Sequence, residues 1–396
     1  MYLRRKESKL LGRRVEEGDY ERCGLMRALS RMRWDELWRA AKGGKRGGGS
    51  GVHATLVKAL RMEVWGDSGE EISWTGHVFE GLRLLVNAGR VGRMYYESWK
   101  KELDYLFIKV PGGAGLDMSR PVRLLEALLK ASYTADFAGI VDVWEKAGLI
   151  EDAQSAFRVG RGTEEPMMLW VLMGERAYQY KEDQARGQGD LEHAYDSVFQ
   201  WAVELTMMRL GLSTDYVEYL AVLMREARTA TITPFGMTDW VRRAAGLAQG
   251  GPHSCAEWNA LIDVMAEMQK GMATRGGVRV EDAFGRVMEL LVQLYADDTH
   301  HCAAGVDCVE GLEERFGIAA LWGAFFGLVN RVTKCSASVA KFTGATDAND
   351  KVMKTQEELG VQVMARDEFG GRESAVPMVD PYADCKALGV RVSMAM

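Results

Sequence analysis

A largely apolar run that ends in two adjacent aspartates constrains this chain more than any other feature. The run is Leu291–Tyr295, and Asp297 and Asp298 follow one residue later. Neighbouring carboxylates repel each other, and burying them is unfavourable unless a positive charge lies nearby. A divalent cation would supply that charge, whereas an acidic turn facing water would not need one. The choice between a metal site and a solvated turn depends on the rest of the chain.

The length and composition are those of a globular protein with more than one structural unit. With 396 residues, the chain exceeds one average domain, so we expect two or three units. No apolar run approaches the ~20 residues that span a bilayer, and the basic N-terminal stretch lacks the apolar segment of a secretion signal. Six scattered cysteines favour a reducing compartment over a disulfide framework. We therefore expect an intracellular protein, cytoplasmic or nuclear, with no membrane partner.

The charge is unevenly distributed along the chain. Residues 1–50 contain 14 Lys and Arg against 7 Asp and Glu, a net charge of +7, whereas the remainder contains 36 against 49, a net charge of −13. The total of −6 is not typical of a nucleic-acid-binding protein. A basic arm on an acidic body could still contact phosphates locally. Net charge therefore neither identifies nor excludes a nucleic-acid partner.

Hydrophobic periodicity and chain breakers predict an α+β fold, a small sheet with helices packed on one face. Pro121 is expected in the first turn of a helix, and Asp190 and Asp196 at the start of a long apolar helix. Helices are predicted in residues 34–41, 53–62, 76–102, 120–150, 167–180, 190–210, 253–268 and 308–328. Short strands are predicted in residues 104–110, 227–235, 333–342, 360–365 and 387–394.

A second carboxylate could join the acidic pair. Asp190 lies 107 positions before Asp297. Enzymes that transfer phosphoryl groups with two metal ions need ligands from distant parts of the chain, because no single loop can hold both ions. A carboxylate at the end of one strand and a carboxylate pair in a facing hairpin would meet that need.

Eight stretches resemble, in order, motifs of reverse transcriptases of the non-LTR retrotransposon type. The stretch "GDLEHAYDSV" resembles the first palm motif, D-L-x-x-A-F-D-x-V, and "LYADDT" matches the catalytic Y-A-D-D-T box. Ser50 stands where the family prefers Asp, and the motifs around Lys109 and Lys334 are each out of register by one residue. The other six stretches are "KRGGGSGVHATLVKAL", "FIKVPGG…SRPVRLLEALLK", "QSAFRVGRGTEE", "GLAQGGPHS", "FFGLVNRVTK" and "CKALGVRVS".

The resemblance implies a right-hand polymerase fold of fingers and palm, in which an antiparallel palm sheet carries the acids and has helices on one face. It predicts a basic helical extension over residues 1–44, fingers over residues 45–186, and a palm over residues 187–396 that ends in the primer-grip hairpin. A thumb is not expected within this chain, so we expect the chain alone to be a weak polymerase.

The resemblance also implies the catalytic groups. Asp190 and Asp297 would bind two Mg²⁺ ions, or Mn²⁺ in their place, with help from the backbone carbonyl of Leu191. Asp298 would be a weaker or indirect ligand in the same acidic box. The implied reaction is transfer of deoxynucleotides to a primer 3′-hydroxyl, with an RNA template, a DNA or RNA primer and deoxynucleoside triphosphates as partners. The oligomeric state cannot be read from the sequence.

Other residues are assigned by the resemblance to substrate binding. Tyr195 would face the sugar and exclude a 2′-hydroxyl, although a tyrosine there could instead belong to the core. Gln249 and Gly250 would line the nucleotide pocket, where a bare backbone permits close approach. Arg120 would hold the triphosphate through its planar guanidinium. The remaining two assignments are Lys109, also to the triphosphate, and Lys334, as a proton donor to pyrophosphate or simply a solvated lysine.

Alternatives remain open. The first is a truncated, non-catalytic remnant of a retroelement, and the second is a related enzyme such as a group II intron maturase or an RNA-dependent RNA polymerase. An aromatic residue at Tyr195 favours DNA synthesis over RNA synthesis. The adjacent residues His300, His301 and Cys302, with Cys308, are ligand types for zinc. Their spacing matches no common zinc pattern, and strand alternation would send the two histidines to opposite faces.

Overall fold

The computed structural model describes residues 3–10, 12–41, 52–62, 74–109, 119–281, 285, 287–344, 351–380, 385–387 and 390–392. The Gly-rich stretch that holds Ser50 and the segment with Pro111 and Gly112, for which the sequence predicts a turn, lie outside the described residues. Helices within these ranges are α1 Glu17–Arg22, α2 Arg31–Ala40, α3 Ala54–Met62, α4 Trp74–Val91, α5 Ala127–Ala147, α6 Glu164–Tyr180, α7 Ala194–Ser197, α8 Gln200–Arg209, α9 Thr214–Glu226, α10 Ser254–Met272, α11 Cys308–Phe326 and α12 Gln356–Leu359.

Strands within the same ranges are β1 Lys101–Ile108, β2 Ser119–Leu124, β3 Gln184–Gly189, β4 Arg228–Thr233, β5 Gly236–Met237, β6 Val241–Arg242, β7 Val278–Glu281, β8 Val287–Leu290, β9 Val292–Tyr295, β10 Asp298–Ala304, β11 Ser336–Gly344, β12 Lys351–Thr355, β13 Met364–Arg366, β14 Glu373–Ala375, β15 Cys385–Ala387 and β16 Val390–Val392. Short 3₁₀ turns span Glu97–Lys100 and Val332–Lys334. The fold is mixed α+β, as expected. None of the described helices is a candidate for a membrane span.

The chain forms two compact units, each built from two separate stretches. One comprises Met1–Leu149 and Val203–Glu257, and the other comprises Ile150–Ala202 and Trp258–Met396. These boundaries follow compactness in space, whereas the ranges 1–44, 45–186 and 187–396 follow motif positions. The assignment of those ranges to an extension, fingers and a palm stays a prediction.

The first unit contains a mixed sheet of five strands in the order β2-β1-β4-β5, with β6 also paired to β4. β1 and β4 are parallel, and the other pairs are antiparallel. Helix α5 is buried on most sides, which is why its sequence shows little amphipathic pattern. It ends at Gly148, a glycine in the left-handed conformation with φ 60°.

The prediction that Pro121 begins a helix is wrong. Pro121 lies in β2, opposite Leu106 of β1, and α5 begins only at Ala127. β2 is an edge strand. Arg123 follows Pro121 by two residues. Its N–H donates to Gln249 O, so it points away from β1. By strand alternation the nitrogen of Pro121 also points away from β1, so its missing N–H does not weaken the sheet.

The second unit contains an antiparallel sheet in the order β12-β11-β3-β10-β9. An antiparallel sheet therefore carries the acids, as predicted. The single long helix predicted from Asp190 onward does not form. Asp190 directly follows β3, and the helical segment after it is divided into α7 and α8. The break occurs at Phe199, whose N–H donates to Phe326 O at the end of α11. The segment "CKALGVRVS" contains the antiparallel pair β15–β16.

Helices cover both faces of strand β10, so the prediction of helices on one face is wrong for this sheet. On one face, Ala303 packs in a cluster with Leu312 and Phe316 of α11. On the other face, Cys302 packs with Trp170 and Met173 of α6. Because helices cover both faces, β10 is buried along most of its length, and its buried residues do not alternate with exposed ones.

Candidate active site

Strand register brings Asp190 and Asp298 to the same end of two paired strands. Thr299 of β10 lies opposite Gly189 of β3 in an antiparallel pair. The next position outward therefore sets Asp298 beside Asp190, the residue that follows β3. Asp297 precedes Asp298 in the β9–β10 turn and is exposed, whereas Asp190 and Asp298 are half-buried. Two of the three predicted acids are thus cross-strand neighbours, and the third is adjacent in sequence.

Gly189 allows the close approach of these two strands. A Cβ added at Gly189 would collide with Thr299 Oγ1, its cross-strand partner. A Cβ added two residues earlier, at Gly187, would lie 2.7 Å from Phe316 Cζ of α11. Residues without a side chain are therefore required where β3 pairs with β10 and packs against α11.

A tight turn presents the acidic pair. Tyr295 pairs with Asp298, so Ala296 and Asp297 form a two-residue hairpin loop. Ala296 has a φ of 56°. A positive φ at the first loop residue is the type II′ pattern, in which glycine is preferred. Alanine in this conformation costs about 1 kcal/mol or more, so the surrounding structure must hold the turn in place.

The surroundings of Asp298 disfavour its ionised form. Burial, then the charge of Asp297, then that of Asp190, raise the pKa of Asp298 to about 6. Each cause penalises the ionised carboxylate, and a divalent cation would reverse that penalty. Within the described ranges, no three His, Cys, Asp or Glu side chains form a ready-made metal cage.

The backbone around Asp190 is fixed by the segment before β11. Asp190 O accepts a hydrogen bond from Arg331 N at 2.8 Å, and Asp190 N donates to Cys335 Sγ at 3.5 Å. Leu191, the predicted carbonyl ligand, forms an isolated antiparallel bridge with Asn330. Lys334 is exposed and immediately precedes Cys335. The predicted proton donor and Asp190 are therefore held by one local hydrogen-bonded arrangement.

Tyr195 lies in α7 and is half-buried. Its ring stacks on the indole of Trp258, with centroids 5.0 Å apart and planes inclined by 22°. Trp258 Nε1 donates a hydrogen bond of 2.7 Å to Ala296 O. Trp258 was not predicted as a site residue, because nothing in its local sequence pattern distinguishes it from a core residue of an amphipathic helix.

The predicted nucleotide-pocket residues lie in the first unit. Gln249 O accepts a hydrogen bond from Arg123 N at 2.7 Å, and Arg123 Nη1 donates to Leu247 O at 2.6 Å. Gly250 has a φ of 104°, and a Cβ there would lie 3.0 Å from Arg123 O. Glycine is therefore required at position 250 both by conformation and by close packing on β2.

The predicted triphosphate ligands lie in the same unit. Arg120 is exposed on β2, opposite Phe107, and Lys109 is exposed directly after β1. The structure thus brings Arg120 and the Gln249–Gly250 turn to one strand, β2. Arg123, which ties that turn to the strand, was not singled out from the sequence.

His300 and His301 face opposite sides of the sheet, as predicted, and do not form a joint metal site. His300 packs on Trp170 of α6 at 5.3 Å between ring centroids, and His301 packs on Phe316 of α11 at 5.1 Å. Burial lowers the pKa of His300 to about 4 and that of His301 to about 3. Both imidazoles are therefore neutral core groups.

Comparisons with known proteins show a distant likeness among solved structures. No protein-family model and no curated protein matches the chain. Among solved structures, the chain is similar to telomerase from Candida tropicalis in complex with a fragment of telomeric RNA, with a TM-score of 0.43 and 9% identity. The match covers 76% of this chain and 52% of the telomerase chain, so this chain spans about half the length of that protein.

Proposed function

We propose that this protein is the RNA-templated DNA polymerase core of a retroelement, of the reverse transcriptase type. The observation that carries the proposal is the pairing of β3 with β10, which sets Asp190 beside Asp298 at one end of an antiparallel sheet. The sequence motifs supply the reaction type, and the geometry of the acids agrees with it. The finer assignment to the non-LTR type rests on the motifs alone.

In this proposal the acids hold divalent cations, Mg²⁺ or Mn²⁺. Bound cations would stabilise the attacking and leaving oxygens of a phosphate under transfer. Asp190 and Asp298 act as neighbouring ligands on rigid strands, and Asp297 reaches the same region from the turn. The resemblance ranks Asp297 first and Asp298 second, whereas the strand register makes Asp298 the direct neighbour of Asp190. We therefore propose that both carboxylates of the pair are needed.

The remaining roles are proposed from the motifs and agree with the local structure. Tyr195 would contact the sugar of the incoming nucleotide and disfavour a 2′-hydroxyl. Arg120 and Lys109 have exposed cationic groups that suit a triphosphate. Gln249 lies on a turn held by hydrogen bonds to Arg123, which would fix its position in a nucleotide pocket. Lys334 is exposed and would donate a proton to pyrophosphate.

The proposal is tested by extension of a DNA primer on an RNA template in the presence of Mg²⁺. We expect incorporation of deoxynucleotides by the wild-type protein and its loss in Asp190→Asn. The matched control is Asp239→Asn, the same change at an exposed aspartate in the β5–β6 connection, which should extend normally.

Other outcomes would favour the alternatives. Preferential incorporation of ribonucleotides would indicate an RNA polymerase. Binding of RNA without extension under any metal condition would indicate a non-catalytic remnant, and extension by Asp190→Asn at the wild-type rate would refute the assignment of the acids.

A further inference from the structure

A single indole joins two parts of the proposed active centre. Trp258 is fully buried in the second unit, at 0% exposure. One of its faces packs against the ring of Tyr195, and its N–H reaches the carbonyl of Ala296. Ala296 immediately precedes Asp297 in the acid-bearing turn.

The indole is itself fixed by its neighbours. Its ring meets the edge of Trp322 of α11, with centroids 6.4 Å apart and planes at 86°. Trp322 Nε1 donates in turn to Leu261 O of α10 at 3.2 Å. Two helices therefore determine where the Trp258 N–H points and which face of the ring is presented to Tyr195.

The contact with Ala296 matters because of the conformation of that residue. With φ at 56°, the turn holds an alanine where glycine is preferred, so alternative turn conformations lie close in energy. A charge-neutral hydrogen bond contributes about 1 kcal/mol, which is comparable to the strain. Loss of the indole N–H would therefore let the carboxylates of Asp297 and Asp298 sample other positions.

We propose that Trp258 is a positioning residue that holds the sugar-facing ring of Tyr195 and the acid-bearing turn in one fixed relation. This inference rests on the proposed polymerase function. The two contacts use different parts of the indole, so substitutions can separate them. Phenylalanine keeps a flat ring beside Tyr195 but cannot donate to Ala296, and leucine provides neither.

The test is single-nucleotide extension by Trp258→Phe and Trp258→Leu, with kcat/KM measured for a deoxynucleotide and for the matching ribonucleotide. Trp258→Phe should lower both values together by about fivefold, the effect of one lost hydrogen bond on the catalytic geometry. Trp258→Leu should in addition raise ribonucleotide use relative to deoxynucleotide use, towards the ratio measured for Tyr195→Ala. The control is Trp34→Phe, which removes a buried indole N–H that donates to Phe79 O in the core of the first unit.

A merely structural role would give a different pattern. If Trp258→Leu keeps the wild-type sugar preference, or if Trp258→Phe behaves like Trp34→Phe, the proposal is wrong. A second readout does not depend on activity: the ¹⁵N indole resonance of Trp258, identified by its loss in Trp258→Phe, should move when Mg²⁺ is added to the wild type. It should not move in Asp298→Asn.

The two readouts distinguish this inference from the proposed function. A Mg²⁺-dependent shift without any extension would retain the link between Trp258 and the acids while refuting the polymerase. If the wild type extends primers but its Trp258 resonance does not move when Mg²⁺ is added, the link is refuted. The link is also refuted if neither extension nor a Mg²⁺-dependent shift is seen.

Discussion

At the scale of single residues, the candidate site depends on two positions that tolerate little change. Gly189 is the last residue of β3, and its missing side chain leaves room for Thr299 across the strand pair. Ala296 holds the turn in a left-handed conformation. The sequence identified the acids beside these residues because a Y-A-D-D box is distinctive. It could not identify Trp258, because a tryptophan in an apolar helix usually packs in a core and its partners lie far away in sequence.

Replacing Gly189 with alanine should reduce stability and extension together. The added methyl group collides with Thr299 Oγ1, so β3 and β10 must separate and carry Asp190 away from Asp298. We expect the free energy of unfolding to fall by about 1–3 kcal/mol, the usual range for overpacking. Chemical denaturation combined with an extension assay measures both effects.

The matched control is Gly317→Ala in α11, where an added Cβ meets nothing within 4 Å. Alanine there should stabilise the helix by up to about 1 kcal/mol because of its higher helix propensity. A Gly189→Ala protein as stable and active as the Gly317→Ala protein would contradict the close-packing argument.

At the scale of elements, sequence patterns located most helices and several strands, but they did not predict which strands pair with each other. Strands β1 and β4 and helices α6, α10 and α11 were predicted because apolar spacing and Gly or Pro breakers mark them clearly. Strand β2 was taken for the start of a helix because Pro121 is favoured in a first helical turn. The segment around Pro121 forms a strand because it pairs with β1, and this contact cannot be seen in the local sequence pattern.

Strand β10 gives a pH prediction, because it buries two neutral histidines. Burial lowers the pKa values of His300 and His301 to about 4 and about 3, against 6.5 for an exposed histidine. The unfolded chain therefore binds more protons than the folded one between about pH 6.5 and pH 3. The stability contributed by the neutral imidazoles is fully present above pH 6.5 and is lost as the pH falls through this window. At about 1.4 kcal/mol per pKa unit, the loss is about 3 kcal/mol for His300 and about 5 kcal/mol for His301.

Equilibrium unfolding at several pH values should show this loss. Replacing either histidine with leucine should flatten the dependence between pH 7 and pH 4, and His77→Gln, at an exposed position of α4, should not. Asp298 has a raised pKa and contributes in the opposite direction, since its stabilising effect is lost as the pH rises through about 6. Comparing each variant with the wild type removes that contribution. Parallel pH curves for the leucine variants and the wild type would contradict the assignment of the histidines.

At the scale of the whole molecule, the sequence motifs run in order along a chain that folds into two discontinuous units. The motif around Asp190 and the Y-A-D-D box belong to one unit, and the motif around Gln249 and the stretch with Arg120 belong to the other. Pairing of β3 with β10 sets Asp190 beside Asp298 in one unit, and in the other unit Gln249 O bonds Arg123 N of β2, the strand that carries Arg120. That all these residues act together follows from motif order and stays a prediction. Motif order did not predict the compact boundaries, because they depend on contacts between segments that are distant in sequence.

The central claim is that Asp190 and Asp298 serve one metal-dependent reaction. A double-mutant cycle tests it directly, with single-turnover extension measured for the wild type, Asp190→Asn, Asp298→Asn and the double variant. If the two carboxylates hold the same ions, each single change should abolish most of the rate, by about 10³-fold or more, and the double change should cost little beyond either one. Two independent losses that multiply in the double variant, or a wild-type rate in Asp298→Asn, would contradict the account.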